Sequence, residues 1–487
     1  MKARDWKPYA EDRQAEKKRI RGQILFVQWL FISLFAAMAA FICIYAVRNR
    51  KTFFDNSYNG REAKLLAENT RGKIFAADGQ VLAETVTEAD GSERRRYPFG
   101  SLFSHVVGYS TKGRSGIEKE ENYALVHSDL PLSEKAAADE RGSKYPGNNV
   151  FTTLRPEIQQ AASDALGMYR GAVIATDPAT GAILAMVSKP DFDPNEIDVR
   201  WNSYLAGDSA EGRLLNRATQ GMYPPGSTFK LIDAIEYLEE HPDTWQDYRY
   251  QCTGTLEKAG GAVHCFHYEV HGSVDLVDSF AESCNCSFAN LGLELDRSAY
   301  ENTLEKLMFD GKLPFSYPYT ESHVYLDAET PEKEVMQMAI GQGETSMSPF
   351  HLHLITQAAA DGGILMRPRL VESIRTADGS VLRQDMPEPY ARLMSEKTAA
   401  ELRRMMQAVV ERGTATKLSG FSYTAAGKTG SAEYDPEDES RSHAWFTGFA
   451  PAENPQICVT VIIEGMGSGG DYAVPIARRV FDSYFAK

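Results

Sequence analysis

An apolar run near the N-terminus constrains the folding of this chain more than any other feature of its sequence. Residues 24–47 contain no charged side chain, and Trp29 and Tyr45 lie near the two ends of the run. Because about 20 residues of α-helix span a bilayer, the run predicts a transmembrane helix. A buried helix of a soluble domain and a cleaved signal peptide are the alternatives. However, the run is longer than a usual signal-peptide core, and the basic stretch 48–51 replaces a small-residue cleavage site.

Basic residues are concentrated on one side of this run. Residues 1–23 carry eight Lys or Arg against four acids, whereas three basic residues follow the run directly. The eight are Lys2, Arg4, Lys7, Arg13, Lys17, Lys18, Arg19 and Arg21. The positive-inside rule therefore predicts a cytoplasmic tail over 1–23, a membrane helix over 24–47 and an extracytoplasmic remainder. The net charge is −15, and without a basic patch beyond the tail we expect no nucleic-acid partner.

A serine and a lysine three residues apart follow a sharp turn. Pro224-Pro225-Gly226 forces the turn, and a helix-like run over 231–238 comes after Lys230. If Ser227 starts the helix, its hydroxyl and the Lys230 amine share a face within hydrogen-bond reach. The amine would then be the general base for a hydroxyl nucleophile. At pH 7 only about one free lysine in 10³ to 10⁴ is neutral, so burial, a second cation or the helix N-terminus must lower its pKa. Alone, the pattern equally fits an exposed helix start with a serine N-cap.

Two further short motifs follow in order. Ser283-Cys284-Asn285 is an S-x-N pattern, which would add a proton-relaying hydroxyl and an amide that holds a peptide backbone. A second S-x-N match at 57–59 is interpreted as chance. Lys428-Thr429-Gly430 and the next residue, Ser431, lie in a β-type stretch and would offer a cation and a hydroxyl to a substrate carboxylate. Gly430 would let a ligand approach the backbone closely.

S-x-x-K, S-x-N and K-T-G in this order are the signature of penicillin-binding proteins and serine β-lactamases. The sequence resembles in particular the membrane-anchored class B penicillin-binding proteins, which are monofunctional peptidoglycan transpeptidases. The resemblance covers nearly everything after the membrane segment. Its landmarks are residues 69–74 and 78–83, Gly116-Ile117-Glu118, Gly171 to Asp177, Asp193-Pro194-Asn195, Gly341-Gln342-Gly343, Ser348-Pro349, Ala444-Trp445-Phe446 and Gly448 to Pro451.

The resemblance implies a role for each motif residue. Ser227, activated by Lys230, would attack the penultimate carbonyl of a peptidoglycan stem peptide that ends in D-Ala-D-Ala. Ser283 would pass a proton to the leaving amine, and Asn285 would bind the substrate amide. Lys428, Thr429 and Gly430 would line the carboxylate site, and backbone N–H groups of Ser227 and Ser431 would form the oxyanion hole.

The resemblance also implies partners. β-Lactams would trap Ser227 as a slowly hydrolysed ester, and no metal or organic cofactor is expected. Only about 100 residues separate the membrane segment from the transpeptidase part, so glycan polymerisation would come from another protein, a polytopic glycosyltransferase of the SEDS type. The alternatives are a β-lactamase, a D,D-carboxypeptidase, and a non-catalytic β-lactam sensor or scaffold of the wall-building complex.

The predicted fold class is α/β (α+β). Residues 48–150 are predicted to form a small β-rich pedestal or dimerisation-like module, with a spacer without specific binding as the alternative. Residues 151–487 are predicted to form the transpeptidase domain. In that domain, alternating residues predict strands over 171–175, 182–187, 424–433, 444–449 and 457–464. They would form a five-stranded antiparallel sheet flanked by a helix that begins near Pro156 and by a closing helix over Val474–Phe485, with a helical region between.

The six cysteines have no common interpretation in the sequence. Cys252 and Cys265 flank a glycine-rich loop on the predicted extracytoplasmic side, where a disulfide is permitted. Cys284 occupies the variable position of S-x-N, so packing is the preferred reading. His264, His267 and His271 lie near Cys265, but their spacing matches no known ligand pattern, and a structural loop is preferred to a metal site.

Overall fold

The computed structural model describes residues 7–48, 61–206, 211–258, 260–433 and 442–486. Predictions that involve Lys2, Arg4, the basic stretch after Arg48 and the second S-x-N match fall outside these residues. The chain divides into two compact units, Met1–Glu68 and Asn69–Lys487.

The first unit contains helices α1 (Lys7–Arg48) and α2 (Arg61–Glu68). Within α1, the segment Arg13–Arg48 is long and apolar enough to cross a membrane, with a mean hydropathy of 2.5 over its best 18-residue window. Its large apolar side chains, such as Phe26 and Phe35, are exposed. The predicted apolar helix is therefore confirmed, and it begins well before the apolar run itself.

The second unit contains fourteen further helices and nineteen strands among the described residues. The helices are α3 (Ser104–Val107), α4 (Gly116–Glu120), α5 (Asn122–Val126), α6 (Leu132–Glu140), α7 (Pro156–Leu166), α8 (Ile197–Leu205), α9 (Lys230–Glu240), α10 (Leu276–Ala281), α11 (Asn285–Glu294), α12 (Arg297–Lys306), α13 (Glu332–Ala339), α14 (Pro349–Ala360), α15 (Glu396–Arg412) and α16 (Val474–Phe485). The strands are β1 (Asn69–Thr70), β2 (Ile74–Phe75), β3 (Val81–Thr87), β4 (Glu93–Arg96), β5 (Tyr145–Pro146), β6 (Asn149–Thr152), β7 (Gly171–Thr176), β8 (Ile183–Lys189), β9 (Tyr250–Cys252), β10 (Thr255–Lys258), β11 (Gly261–His264), β12 (Gly272–Val274), β13 (Ile364–Met366), β14 (Val371–Arg375), β15 (Val381–Gln384), β16 (Pro389–Arg392), β17 (Ala426–Glu433), β18 (Ser442–Ala450) and β19 (Ile457–Ile463).

A five-stranded antiparallel sheet forms the centre of the second unit. Its strand order is β17-β18-β19-β7-β8. Strands β7 and β19 are buried on both faces, which explains why their sequences are apolar except for Thr176 and Thr460. Helices α7 and α16 pack together against one face, and α14 packs against β19 and β18. The predicted fold class and five-stranded sheet are confirmed, and the closing helix has the predicted bounds.

A second sheet combines strands that are far apart in the sequence. Its order is β15-β14-β6-β2-β3-β4, so two strands from 371–384 extend a sheet whose other members lie between 74 and 152. Beside this sheet, the buried carboxylate of Glu118 lies between two guanidinium groups, 2.6 Å from Arg71 Nε and 2.7 Å from Arg95 Nε. A charge buried this deeply requires such partners.

Candidate active site

Ser227 lies in a single 3-10 turn, Gly226–Phe229, and α9 begins only at Lys230. This differs from the prediction that Ser227 starts the α-helix. The reason is Gly226, whose φ of +52° turns the chain into the tighter helix directly after the two prolines. Since a 3-10 helix has three residues per turn, positions i and i+3 eclipse each other. Ser227 and Lys230 are therefore aligned even more directly than in an α-helix.

The turn that carries Ser227 is clamped by close backbone contacts. A Cβ on Gly226 would lie 2.6 Å from Ser431 O, and a Cβ on Gly341 would lie 2.1 Å from Gly226 O. Gly226 N donates to Gly341 O at 2.9 Å, and Trp445 Nε1 donates to Pro224 O at 3.1 Å. A Cβ on Gly430 would lie 3.0 Å from Thr228 Cγ2, so the glycines of three separate motifs allow strand β17 and the Gly341 loop to approach the turn.

The Lys230 amine is completely buried among oxygen acceptors. Its Nζ lies 2.7 Å from Ser283 O, 2.7 Å from Asn285 Oδ1 and 3.1 Å from Ser227 Oγ. Burial lowers the pKa of Lys230 to about 8, because desolvation disfavours the ammonium form. The structure therefore supplies the lowered pKa that the sequence argument required.

Counting hydrogens on Lys230 Nζ determines which way its lone pair points. A neutral amine has two N–H bonds and one lone pair. Ser283 O and Asn285 Oδ1 can only accept, so they use both hydrogens of the neutral amine. The lone pair is then left for a hydroxyl that can donate its proton, and of the two hydroxyls beside it Ser227 Oγ, at 3.1 Å, is nearer than Ser283 Oγ, at 3.3 Å. The geometry gives the neutral lysine the orientation of a general base toward Ser227.

Ser283 lies between two lysines. Lys428 Nζ donates to Ser283 Oγ at 2.8 Å, and Lys230 Nζ lies 3.3 Å from the same oxygen. Ser283 has a φ of +59°, a left-handed conformation that is unfavourable for a residue with a Cβ and that recurs at functional sites. The first two motifs therefore contact each other directly, and the third reaches them through Lys428.

Strand β17 carries the K-T-G motif as predicted. Burial, and to a lesser degree the nearby Lys230, lower the pKa of Lys428 well below its ordinary value. Thr429 Oγ1 forms a hydrogen bond of 2.5 Å with Thr414 Oγ1, and Ser431 Oγ accepts from Gly469 N at 3.4 Å. Successive side chains of a strand point to opposite faces, so Thr429 and Ser431 share one face while Lys428 lies on the other.

The Asn285 amide bridges two groups of the protein. Its Oδ1 accepts from Lys230, and its Nδ2 donates to His264 O at 2.8 Å. Asn285 therefore holds the Lys230 amine in place in this structure. Its expected hydrogen bond to a substrate amide remains a prediction.

Two buried groups near the nucleophile were missed by the sequence analysis. Asp233 is one turn beyond Lys230, fully buried, and accepts from Tyr300 Oη at 2.5 Å. Burial raises its pKa well above the ordinary value. The spacing from Lys230 to Asp233 was visible in the sequence, but Tyr300 comes from α12, and nothing local indicates that pairing.

A charged network also supports the loop before Ser227. Glu464 Oε1 lies 2.7 Å from Arg217 Nε and 2.9 Å from Tyr223 Oη. Tyr223 in turn packs edge-on against Trp445. These residues are distant in sequence and match no motif, so only the fold brings them together.

One group of thiols and an imidazole lies directly behind the S-x-N turn. Within the described residues, Cys252, Cys265, His271 and Cys284 are the group whose ligand atoms lie close enough to share a metal ion, all within 4.8 Å of one another. Both members of the possible disulfide, Cys252 and Cys265, are free thiols here. From the sequence, Cys284 was interpreted as a packing residue, and its proximity to Cys252, Cys265 and His271 was not predicted.

Comparison with known proteins identifies the class to which this site belongs. Residues 171–482 match the family described as the penicillin binding protein transpeptidase domain, and 71–150 match the penicillin binding protein A dimerisation domain. The chain belongs to the penicillin-binding protein transpeptidase family. The resemblance to class B members is thereby confirmed, and the enzyme class is a serine transpeptidase.

Individual relatives agree with this assignment. The peptidoglycan D,D-transpeptidase PbpA of Mycolicibacterium smegmatis is 35% identical over 443 residues, which cover 84% of this chain and 87% of that protein. A solved D,D-transpeptidase domain of a peptidoglycan glycosyltransferase from Eggerthella lenta is 31% identical, with a TM-score of 0.78 over 86% of this chain and 99% of that one. Penicillin-binding protein A from M. tuberculosis, solved as a ceftriaxone acyl-enzyme, is 29% identical, with a TM-score of 0.79 over 87% of this chain and 100% of that one.

Replacing Gly226 by Ala tests the clamp around the nucleophile turn. The added Cβ would displace Ser431 O, which lies 2.6 Å from its position. Since a misplacement of about 1 Å can lower a rate about 10²-fold, we expect the second-order rate of acylation by a fluorescent penicillin to fall by about that factor. Gly79→Ala is the matched control: Gly79 also has a positive φ, of +85°, but has nothing within 4 Å of the added Cβ. Equal rates in the two variants would contradict the clamp.

Proposed function

We propose that this protein is a peptidoglycan D,D-transpeptidase in which Ser227 is the nucleophile and Lys230 the base. The observation that supports it most is the hydrogen count at Lys230 Nζ, which leaves a lone pair for the Ser227 hydroxyl. The substrate is a stem peptide that ends in D-Ala-D-Ala, as the resemblance to class B penicillin-binding proteins implies, and a relative is named a peptidoglycan D,D-transpeptidase. β-Lactams acylate Ser227, an assignment supported by the M. tuberculosis relative, which was solved as a ceftriaxone acyl-enzyme complex.

Acylation proceeds with one proton moving from serine to lysine. Ser227 Oγ attacks the penultimate carbonyl carbon while its proton passes to Lys230 Nζ. The developing oxyanion accepts from the backbone N–H groups of Ser227 and Ser431, and one such donor contributes about 3–4 kcal/mol in other enzymes. Ser283 receives a proton from the lysines beside it and delivers it to the departing nitrogen, so D-Ala leaves as a neutral amine.

Substrate binding uses the third motif. Lys428, which donates to Ser283 Oγ, and its neighbour Thr429 bind the terminal carboxylate of the donor, and Gly430 leaves space for the peptide. A neighbouring stem-peptide amine then attacks the ester, its proton returns through Lys230 to Ser227, and the new amide is the cross-link. An acceptor amine rather than water distinguishes this reaction from that of a D,D-carboxypeptidase.

The same proposal assigns a place to each segment. Residues 1–23 form a cytoplasmic tail, 24–47 the membrane helix, 48–150 the pedestal and 151–487 the catalytic domain outside the cell membrane. The charge bias across the apolar run supports this orientation. It also places the catalytic serine on the side where peptidoglycan is found.

Labelling intact cells with a membrane-impermeant fluorescent penicillin tests nucleophile and orientation together. We expect a labelled band from the wild-type protein that is absent from Ser227→Ala, because the substitution removes the hydroxyl that Lys230 is proposed to deprotonate. Ser431→Ala is the control, because Ser431 is proposed to act through its backbone N–H. Label that persists in Ser227→Ala, or that requires permeabilised cells, would contradict the proposal.

Product analysis separates the alternatives. With purified protein, a stem-peptide donor and an amine acceptor, we expect the cross-linked product and free D-Ala. Release of D-Ala without cross-linking would indicate a carboxypeptidase, and rapid turnover of penicillin a β-lactamase.

The acylation rate should depend on pH through Lys230. Burial lowers the pKa of Lys230 to about 8, and the base must be neutral, so the rate rises as the pH increases toward that value and levels off above it. Below the pKa we expect about a tenfold increase per pH unit, measured as the second-order rate of acylation. Lys397→Ala, which removes an exposed lysine paired with Asp243, should leave the profile unchanged. A rate that is flat between about pH 6 and pH 8 would exclude Lys230 as the base.

The membrane helix provides the contact with a partner of the SEDS glycosyltransferase type. Its apolar side chains are exposed in α1, and a helix in lipid associates through its packing surface. A photocrosslinking residue in place of Phe31 or Phe35 should give an adduct that mass spectrometry identifies as a polytopic glycosyltransferase. The same probe at the exposed Met168 of the catalytic unit should not. Absence of that adduct from every helix position would contradict the partnership.

A further inference from the structure

The strongest unexplained feature is a cluster of sulfur atoms beside the active site, here called the cysteine cluster. It consists of Cys252, Cys265, Cys284 and Cys286, all of them buried, together with the half-buried His271. Cys265 Sγ lies 3.7 Å from Cys252 Sγ, 3.7 Å from Cys284 Sγ and 3.5 Å from Cys286 Sγ. His271 Nδ1 lies 3.5 Å from Cys252 Sγ. The mechanism proposed above uses none of these groups.

Short strands and a helix start bring the cluster together. Strands β9 and β12 pair antiparallel with Cys252 opposite Gly272, so His271 is next to the end of β9. Cys265 follows the hairpin of β10 and β11, and Cys284 is the N-cap of α11. The ligand atoms therefore come from four points of the chain that only tertiary structure joins.

The distances fit a tetrahedral metal site. Zinc binds sulfur at about 2.3 Å and histidine nitrogen at about 2.0–2.1 Å, which places neighbouring ligands of a tetrahedron about 3.8 Å apart for two sulfurs and about 3.5 Å for sulfur and nitrogen. The observed separations of Cys265 from Cys252 and Cys284, and of Cys252 from His271, agree with these edges. Two directly bonded sulfurs would be about 2.05 Å apart.

Backbone hydrogen bonds also favour thiolates at two of these sulfurs. Gly254 N donates to Cys252 Sγ at 3.4 Å, and Ser287 N donates to Cys284 Sγ at 3.4 Å. Such donors stabilise the negative charge of a metal-bound sulfur. Cys286 Sγ donates to Val263 O at 3.6 Å, as a neutral thiol does, whereas the corresponding contact of Cys252 Sγ with Glu269 O is longer, at 4.0 Å.

Apolar packing does not account for this cluster. Its four cysteines form a buried group of their own, separate from the main core, with only the partly buried Tyr250 and Leu256 packed against it. Strands β9 to β12 have three or four residues each. Segments this small and poor in apolar contacts usually need a disulfide or a metal to hold them.

We propose that Cys252, Cys265, Cys284 and His271 bind one zinc ion. Three thiolates and one imidazole in a closed tetrahedron are a typical structural zinc site. Cys286 remains a thiol next to Cys265. Disulfides fit the arrangement less well, because Cys265 Sγ has three sulfurs between 3.5 and 3.7 Å away and can bond to only one of them.

The site has a consequence for the S-x-N motif. Cys284 lies between Ser283 and Asn285, and a metal bond to Cys284 fixes the turn that keeps Ser283 in its left-handed conformation. The same turn supplies Ser283 O and Asn285 Oδ1, which hold the Lys230 amine. This part of the inference rests on the proposed function, and it makes Cys284 a positioning residue for the base.

Metal analysis of the full-length protein, purified in detergent, tests the site. By inductively coupled plasma mass spectrometry we expect about one zinc per chain in the wild-type protein. After dialysis, the zinc content of Cys252→Ala and of His271→Ala should be lower by about tenfold or more. Cys458→Ala removes a buried cysteine from β19 and is the matched control, which should retain zinc. Cys286→Ala should also retain zinc. If Cys286→Ala lost zinc while His271→Ala retained it, the assignment of His271 as a ligand would be overturned.

A measurement on the wild-type protein keeps the test independent of variants that fail to fold. Cobalt exchanged into the wild-type protein should give the thiolate-to-cobalt absorption and the strong visible bands of a tetrahedral site. Wild-type protein without zinc, and with a mass lower by about 2 Da for each disulfide, would overturn the proposal.

The rate of acylation by penicillin tests separately whether zinc is bound and whether bound zinc affects catalysis. Removing zinc with a chelator should lower the acylation rate, and adding zinc back should restore it. If the protein binds zinc but its acylation rate is the same with and without the metal, the zinc site is supported and the positioning role of Cys284 is overturned. A zinc-loaded wild-type protein that is never acylated would instead contradict the proposed function.

Discussion

The burial of two lysine side chains around one serine hydroxyl is the constraint on which the rest of this site depends. Lys230 Nζ and Lys428 Nζ both lie within 3.3 Å of Ser283 Oγ, and neither lysine is exposed. Desolvation of the ammonium form lowers the pKa of Lys230 to about 8, and burial together with the nearby Lys230 lowers the pKa of Lys428 well below its ordinary value. A neutral amine at Lys230 is what the Ser227 nucleophile needs.

Several parts of the architecture serve this arrangement. The five-stranded sheet carries Lys428 on its edge strand, and glycines at 226, 341 and 430 let that strand, a loop and the nucleophile turn approach each other. The S-x-N turn completes the enclosure from the helical side. Phe288 and Phe280 supply an apolar wall, since each of their rings lies 5.6 Å from one of the lysine nitrogens. The site is thus assembled from all three motifs at once, and none of them forms it alone.

Features encoded locally could be predicted from the sequence. The strand around Lys428, the central pair β18 and β19, and α16 were all found close to their observed bounds, because alternation and helical spacing are visible in a short window. The N-terminal apolar helix and the three motifs were also evident. These features were sufficient for the fold class and for the residues proposed to act.

Features that depend on tertiary contacts could not be predicted. The left-handed Ser283, the pairing of Asp233 with Tyr300 and the convergence of Cys252, Cys265 and Cys284 all require groups that are distant in the chain. The six-stranded sheet is another case, because β14 and β15 lie more than 200 residues beyond β6. Because two strands from 371–384 pair with a sheet whose other members lie between 74 and 152, removing either stretch alone would expose unpaired strand edges in the other. A truncation at either end of this sheet would therefore create a new surface for strand pairing with another chain.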